Sequence, residues 1–344
     1  MTKIDNDIIK FLRENPLSSS PEIHKGIGIG SYATVKRALT GLLENGQIIS
    51  EGQARATRYQ VSQTNHLLRH IDMVAYFEKE IDERDIREGF NFQLIRETLS
   101  KVHVYTTEEA NTLHRLQEEF RNNVAHMSSD VYNKEMERLA IDLSWKSSQI
   151  EGNTYSLLET ERLLKDKETA EGKPKDDATM LLNHKEALNF IVDNPDYLAP
   201  LTISRIEDIH SILVKDLPVE RNIRQRRVGI SGTNYKPLDN EHQIREALED
   251  MCALINNKKD VFEKSLLALV LVSYIHAFND GNKRTARIIS NAILIANQYC
   301  PVSFRTINSL EYKKAMLIFY EQNNISVFKK IFLEQFRFAV KTYF

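Results

Sequence analysis

Residues 265–299 read SLLALVLVSYIHAFNDGNKRTARIISNAILIANQY. The stretch begins and ends with segments that are apolar around most of a helical circumference, so each predicts a helix buried at the centre of a core. Between them stands a short polar loop, His276-Ala277-Phe278-Asn279-Asp280-Gly281-Asn282. Asp and Asn flank a glycine there. Asn282 has the chemistry of an N-cap, which puts the start of the second helix near Lys283.

That second helix opens against its own electrostatics. Lys283, Arg284 and Arg287 place three cations near an N-terminus whose free N–H groups are already positive, at a cost of a few tenths to about 1 kcal/mol each. Arg284 and Arg287 are three apart and share a face. Glycine beside free backbone donors lets an anion approach closely, which describes a phosphate site. Asp280, four residues before Arg284, offers a hard oxygen ligand to a cation such as Mg2+ that accompanies phosphates. His276, at the loop entrance, is the side chain here that can accept a proton near neutral pH. Singly, each of these residues is an ordinary surface feature. Gathered between two buried helices, they have no packing explanation.

A second mismatch lies upstream. In MERLAIDLSWKSSQIEGN (136–153), Met136, Leu139, Ala140, Leu143 and Ile150 recur at helical spacing, and Gly152 ends the helix. Glu151 therefore sits at a helix C-terminus, where the dipole disfavours an anion. One region has an acid at the wrong helix end and the other has cations at the wrong helix end. Each is relieved if the two ends meet.

Moving outward, Gly and Pro are sparse, 12 and 8 in 344 residues, so the chain should be mainly helical. With 46 Lys+Arg against 48 Asp+Glu, a global polycation or polyanion is excluded. Cys252 and Cys300 lie far apart and form neither a disulfide framework nor a metal knuckle, which suits a reduced cytoplasmic compartment. The longest strongly apolar run, 266–272, is far short of the roughly 18 residues of a spanning helix. The first fifteen residues are charged throughout, without the apolar core of an export signal. A soluble, cytoplasmic protein without a membrane partner is expected.

Three regions separate: 1–62, a charged connecting helical segment over 63–130, and a stronger helical pattern over 131–344. The first reads as helix, helix, helix, hairpin. Ile8, Ile9, Phe11 and Leu12 mark one amphipathic stretch, and SSSPEIHKGI starts a second with Ser before Pro21. SYATVKRALTGLLENG is the third, from Ser31 to the stop at Gly46. GIGIGS (26–31) is the turn before it, because no strand precedes it as a phosphate loop requires. The order resembles a winged helix-turn-helix domain, which implies a recognition helix with Tyr32, Thr34, Lys36 and Arg37 and a wing with Arg55 and Arg58. Eight Lys/Arg against six Asp/Glu is a weak charge for a DNA partner, and a protein-interaction or dimerisation module on the same fold is the other reading. Within the last region, VGISGTNYKPL (228–238) alternates around Gly232 and reads as a short hairpin.

HAFNDGNKRTAR (276–287) resembles the Fic motif H-x-F-x-[D/E]-G-N-x-R-x-x-R. The resemblance covers about residues 131–344 and implies a Fic all-helical core with a small β-hairpin flap, preceded by the winged-helix domain. Most Fic proteins transfer AMP from ATP to a hydroxyl of a target protein. By position His276 would be the general base toward a Ser, Thr or Tyr hydroxyl, and Asp280 would hold Mg2+ on the α- and β-phosphates. Gly281, Asn282 and Lys283 would line the ATP site, with Arg284 and Arg287 on the β- and γ-phosphates and Phe278 anchoring the loop. SSQIEG (147–152) resembles the family's inhibitory pattern [S/T]-x-x-x-E-[G/N]. It implies an inhibitory helix over about 131–152, with Ser147 and Glu151 set against Arg287. The 228–238 hairpin resembles the flap, whose Ile230, Ser231, Gly232 and Thr233 would pair with the target backbone. A homodimer is a common family arrangement. His210 reads as a structural helix residue.

Two motif positions depart from the usual form. Ala277 replaces a proline, and Lys283 stands where adenylylating members have glycine. Lysine there resembles the Doc branch, whose members phosphorylate their targets, while Gly281, Arg287 and the built-in SSQIEG favour AMP transfer. Removal of AMP with Glu151 positioning water, and a non-enzymatic nucleotide-sensing DNA-binding regulator, are the further alternatives.

Overall fold

The apolar run that opens the 265–299 stretch forms one helix, Val261–Ile275, and the run that closes it forms another, Asn282–Ala296. Every residue over 265–275 is buried, as is every residue over 284–294. A fully buried Leu, Ile or Val side chain contributes roughly 1.5–3 kcal/mol, so this pair of helices is the centre of the core. They pack closely through small residues: Ser265 Oγ meets Ser290 Oγ at 2.7 Å and donates to the Ser290 carbonyl at 2.9 Å.

The computed structural model describes residues 2–44 and 46–344, and the side chains of all of these except Arg55 and Gln63. It divides into two units between His70 and Ile71. The first unit holds α1 (Lys3–Glu14), α2 (Ser20–Ile27), α3 (Tyr32–Glu44), β1 (Ile48–Glu51), β2 (Arg58–Val61) and α4 (Gln63–Leu68). Thr2 and Asp5 close a capping box on α1, Ser19 and Glu22 another on α2, and Ser31 Oγ accepts from the Thr34 N–H at the start of α3. Ile8, Ile9, Leu12, Ile23, Val35, Leu39, Leu42 and Ile48 form its core. The strands are antiparallel, from Ile48 opposite Val61 to Glu51 opposite Arg58. Tyr32, Lys36 and Arg37 are exposed on α3, and Thr34 is half-buried. Arg58 is engaged by Glu22 at 2.6 Å, and the Arg55 side chain lies outside the described residues.

The second unit runs through α5 (Met73–Phe77), α6 (Leu99–Lys101), α7 (Thr107–Ala125), α8 (Ser129–Ile150), α9 (Leu157–Asp166), α10 (Lys175–Asp193), α11 (Ile203–Leu213), α12 (Glu241–Asn257), α13 (Val261–Ile275), α14 (Asn282–Ala296), α15 (Ser309–Gln322) and α16 (Ser326–Thr342). Among the described residues the two-stranded sheet of the first unit is the one sheet, so the chain is mainly α. No helix is long and apolar enough to cross a membrane among these residues. The segment expected to connect over 63–130 is divided: 63–70 join the first unit, and 71–130 bury Leu94, Ile95, Leu99, Leu113, Leu116 and Phe120 in the second.

Two expectations are corrected. Residues 228–238 form no hairpin ladder: a turn at Ser231–Gly232 separates irregular segments, and the one bridge pairs Lys236 with Gly89 in parallel. The polar groups of this segment find partners in residues 82–89 instead. Lys236 N–H donates to the Glu88 carbonyl at 2.7 Å, Arg84 Nη2 to the Gly232 carbonyl at 2.7 Å, and Asn234 Nδ2 to Asp82 Oδ1 at 2.9 Å. The second correction is one residue wide. Gly281, at φ 83°, is the N-cap of α14, and Asn282 is the first helical residue. Its amide folds back on the loop, donating to the Phe278 carbonyl at 2.7 Å and accepting from the Phe278 N–H at 2.9 Å.

Candidate active site

The loop between α13 and α14 is held by its backbone. His276 ends α13 in the left-handed region, φ 54° and ψ 55°, which few non-glycine residues adopt. Its carbonyl accepts from Arg224 Nε at 2.7 Å, and the Ala277 carbonyl accepts from the Arg224 N–H at 2.9 Å. Phe278 is fully buried and lies flat on His210, with ring centroids 3.7 Å apart and planes 4° apart. His210 Nε2 sits 2.9 Å from the Asp280 carbonyl. The same imidazole explains Gly281: a Cβ there would come within 3.3 Å of the His210 ring while adopting a positive φ. His210 is thus a structural residue, as its helix pattern suggested, and its task is to hold the loop.

The His276 imidazole is half-buried, and its Nδ1 has no hydrogen-bond partner among the described residues. Burial, then the nearby charges of Lys283 and Arg224, push it down to about 3. It is neutral at physiological pH, so it is free to accept a proton but is a weak base until negative charge arrives.

The cations of α14 differ in their partners. Arg284 is fully buried; its Nη2 reaches Asp280 Oδ2 at 3.0 Å, while Nε and Nη1 are unpartnered among the described residues. Arg287, also fully buried, donates from Nε to Ser147 Oγ at 2.8 Å and from Nη2 to the Ser147 carbonyl at 3.0 Å and Glu151 Oε1 at 2.7 Å. Lys283 Nζ lies 3.3 Å from Glu151 Oε2. Glu151 is the C-cap of α8, and Gly152 follows at φ 105°. Burial alone would raise the Glu151 carboxyl; Arg287 and Lys283 outweigh it and bring the group down to about 2. The acid at the wrong helix end and the cations at the wrong helix end do meet.

The structure brings His276, Asp280, Gly281, Asn282, Lys283, Arg284, Arg287, Ser147 and Glu151 to one place around the start of α14. Of the expected flap residues Ile230, Ser231, Gly232 and Thr233, Gly232 is held by Arg84 and Thr233 Oγ1 accepts from the Tyr235 N–H at 3.1 Å. It is the ends of their segment that are tied to the loop, through Arg224, which donates to the Arg226 carbonyl at 2.9 Å and the Leu238 carbonyl at 2.5 Å. Arg224 and Arg84 carry no signal in the sequence. Each is a lone cation in an irregular stretch, and each acts on backbone carbonyls, which every residue has.

The donor set fits a polyphosphate. Two buried guanidinium nitrogens of Arg284 lack an acceptor, and a phosphate oxygen is the acceptor they suit. For Mg2+ the fit is partial by design of that ion: no cluster of three or more His, Cys, Asp or Glu exists among the described residues, and the Asp280 carboxylate is 60% exposed. One carboxylate with phosphate oxygens and water is an ordinary Mg2+ set.

These features define a helical core whose central helix opens on buried cations, faced by an acid from a neighbouring helix. Residues 200–294 match the Fic/DOC family, and the chain carries a Fic/DOC domain there. Protein adenylyltransferase fic-1 of Caenorhabditis briggsae is 29% identical over 212 residues, spanning 58% of this chain and 40% of the relative. Protein adenylyltransferase Fic of Nematostella vectensis is 30% identical over 176 residues, spanning 49% of this chain and 40% of the relative. The chain therefore matches well under half the length of these curated relatives. Among solved structures, Fic-1 (residues 134–508) of Caenorhabditis elegans aligns with a TM-score of 0.60 at 20% identity, covering 69% of this chain and 72% of that one. A Fic-domain signalling protein of Bacteroides thetaiotaomicron aligns with a TM-score of 0.57 at 19% identity, covering 67% and 96%. At these identities the likeness establishes the fold.

Proposed function

We propose that this protein is an autoinhibited adenylyltransferase that moves AMP from ATP to a Ser, Thr or Tyr hydroxyl of a target protein. The observation that carries the reading is the Glu151 carboxylate against Arg287 at 2.7 Å and Lys283 at 3.3 Å, beside an Arg284 with two buried donors to spare. An anion already occupies part of a site that suits anions, and a γ-phosphate has the charge and the oxygens to take its place.

The chemistry follows from the residues. With Glu151 withdrawn, Arg284 and Arg287 bind the β- and γ-phosphates, and the backbone at Gly281 and Asn282 opens to the α-phosphate. His276 takes the proton of the target hydroxyl as its oxygen bonds to the α-phosphorus, and the bond from that phosphorus to the β-phosphate oxygen breaks to release pyrophosphate. Phosphoryl-type transfer asks for positioning and charge stabilisation, and the loop supplies both. Asp280 is the residue that would hold Mg2+, which supplies charge neutralisation on the phosphates when bound. The flap residues Ile230–Thr233 align the target. The first unit, with Lys36 and Arg37 exposed on α3, is assigned a partner-binding role, DNA or protein.

Lys283 favours one second reading, phosphate transfer, because it puts a cation where a close approach of the α-phosphate needs space. ATP labelled in the α- or the γ-phosphate, given to the Glu151→Gly protein, decides between them: protein-bound label from the α-position supports AMP transfer, and label from the γ-position alone supports a kinase.

A further inference from the structure

Arg224 has no role in the chemistry just described, yet the residue is only 1% exposed and its guanidinium and backbone N–H donate to carbonyls on both sides of the loop. Its Nε donates to the His276 carbonyl at 2.7 Å, Nη1 to the Arg226 carbonyl at 2.9 Å and Nη2 to the Leu238 carbonyl at 2.5 Å. Its own N–H donates to the Ala277 carbonyl at 2.9 Å. No carboxylate lies within ion-pair distance of it among the described residues. A buried cation without an anion is costly unless its donors are satisfied, and here each edge of the guanidinium meets a carbonyl.

We propose that Arg224 is a positioning residue that locks the catalytic histidine and the flap to each other. The three carbonyls belong to different parts of the machinery. His276 holds a left-handed backbone conformation at the end of α13, where carbonyls lack helical partners, and the Nε bond fixes the direction of that carbonyl. Arg226 and Leu238 stand at the entry and exit of the flap, so one planar group pins both of its ends. The flap has no ladder of its own, and this pin replaces one. Neither His276 nor the flap can shift without breaking a bond to the same guanidinium. A lysine cannot substitute, because an ammonium on a flexible stem does not present three donors in a fixed fork.

The inference rests on the reading of His276 as the base, and its test is chosen to be read without turnover. In the full-length Glu151→Gly protein, Arg224→Lys and Arg224→Gln are compared with the parent by hydrogen–deuterium exchange and by AMP transfer. The expected result is faster exchange, by about tenfold or more, in peptides over 226–238 and over 276–282 together, with the interiors of α13 and α14 unchanged. Transfer should lose roughly 10- to 100-fold in kcat with the KM for ATP nearly constant, and millimolar guanidinium should restore part of it to an Arg224→Ala protein. Exchange that rises in one segment and not the other overturns the coupling, as does a general rise across the unit or failure of both variants to fold. A parent that transfers no AMP while its variants show the paired rise contradicts the transferase reading and supports the coupling.

Discussion

Glu151 and Arg287 lie 136 residues apart in sequence and 2.7 Å apart in space, joining the end of one helix to the start of another. Each group sits where its own helix dipole disfavours it, and each neutralises the other. In the proposed function the pair is a lock whose key is another anion. Glu151→Gln keeps the shape and removes the charge, so ATP should bind it about tenfold tighter or more than it binds the parent. Calorimetry on the two proteins measures this, and equal affinities contradict the competition.

The lock should not respond to pH near neutrality. The Glu151 carboxyl falls from its ordinary 4.5 to about 2 in the folded protein, with the charges of Arg287 and Lys283 outweighing its burial. A depressed folded-state value gives stability that is present above about 4.5 and lost as pH falls toward 2. The stability difference between the parent and Glu151→Gln, from urea melts, should therefore be flat from about pH 8 to 5 and shrink below that. A difference that changes between pH 6 and 8 would mean the carboxylate is not held as described.

His276 should stay neutral in the free protein well below the usual imidazole range, since burial, Lys283 and Arg224 bring it to about 3. The triphosphate of bound ATP adds negative charge beside it, which should raise that value. Imidazole nitrogen shifts followed against pH, with and without ATP, check both statements. A value near 6.5 in the free protein contradicts the first, and no change on adding ATP contradicts the second. His276→Ala should retain ATP binding and lose transfer.

The flap has a second anchor whose loss should be felt in stability. Arg84 donates to the Gly232 carbonyl at 2.7 Å and pairs with Glu321 at 3.1 Å, with 3% and 0% of the two side chains exposed. Tyr76 donates its hydroxyl to the same carboxylate at 2.5 Å. Removing one partner of a buried pair strands the other, so Arg84→Met should cost about 3–5 kcal/mol in denaturant unfolding. A loss under about 1 kcal/mol would show that water reaches the site and screens it.

What the sequence made legible was electrostatic and local. The cations at 283–287 and the acid at 151 are visible because a helix end has a sign, and a residue of the wrong sign asks for a partner. The apolar helices around the loop were legible from composition alone. The flap was misread because alternation over 228–238 describes which side chains face inward, while the backbone partners come from residues 82–89, far away in the chain. Asn282 has the chemistry of a cap, but Gly281 alone tolerates the positive φ beside His210, so the helix starts one residue early. Arg224 and Arg84 escaped notice because their acceptors are carbonyls, and a carbonyl leaves no trace in a sequence.

Glu151 is proposed to hold closed a site that delivers AMP. The direct measurement is the rate at which α-labelled ATP marks protein in the parent and in Glu151→Gly, with γ-labelled ATP run in parallel. Label is expected from the α-position alone, faster by roughly 10- to 100-fold once the carboxylate is gone. Equal α-label rates in the two proteins, or label that follows the γ-phosphate, would contradict it.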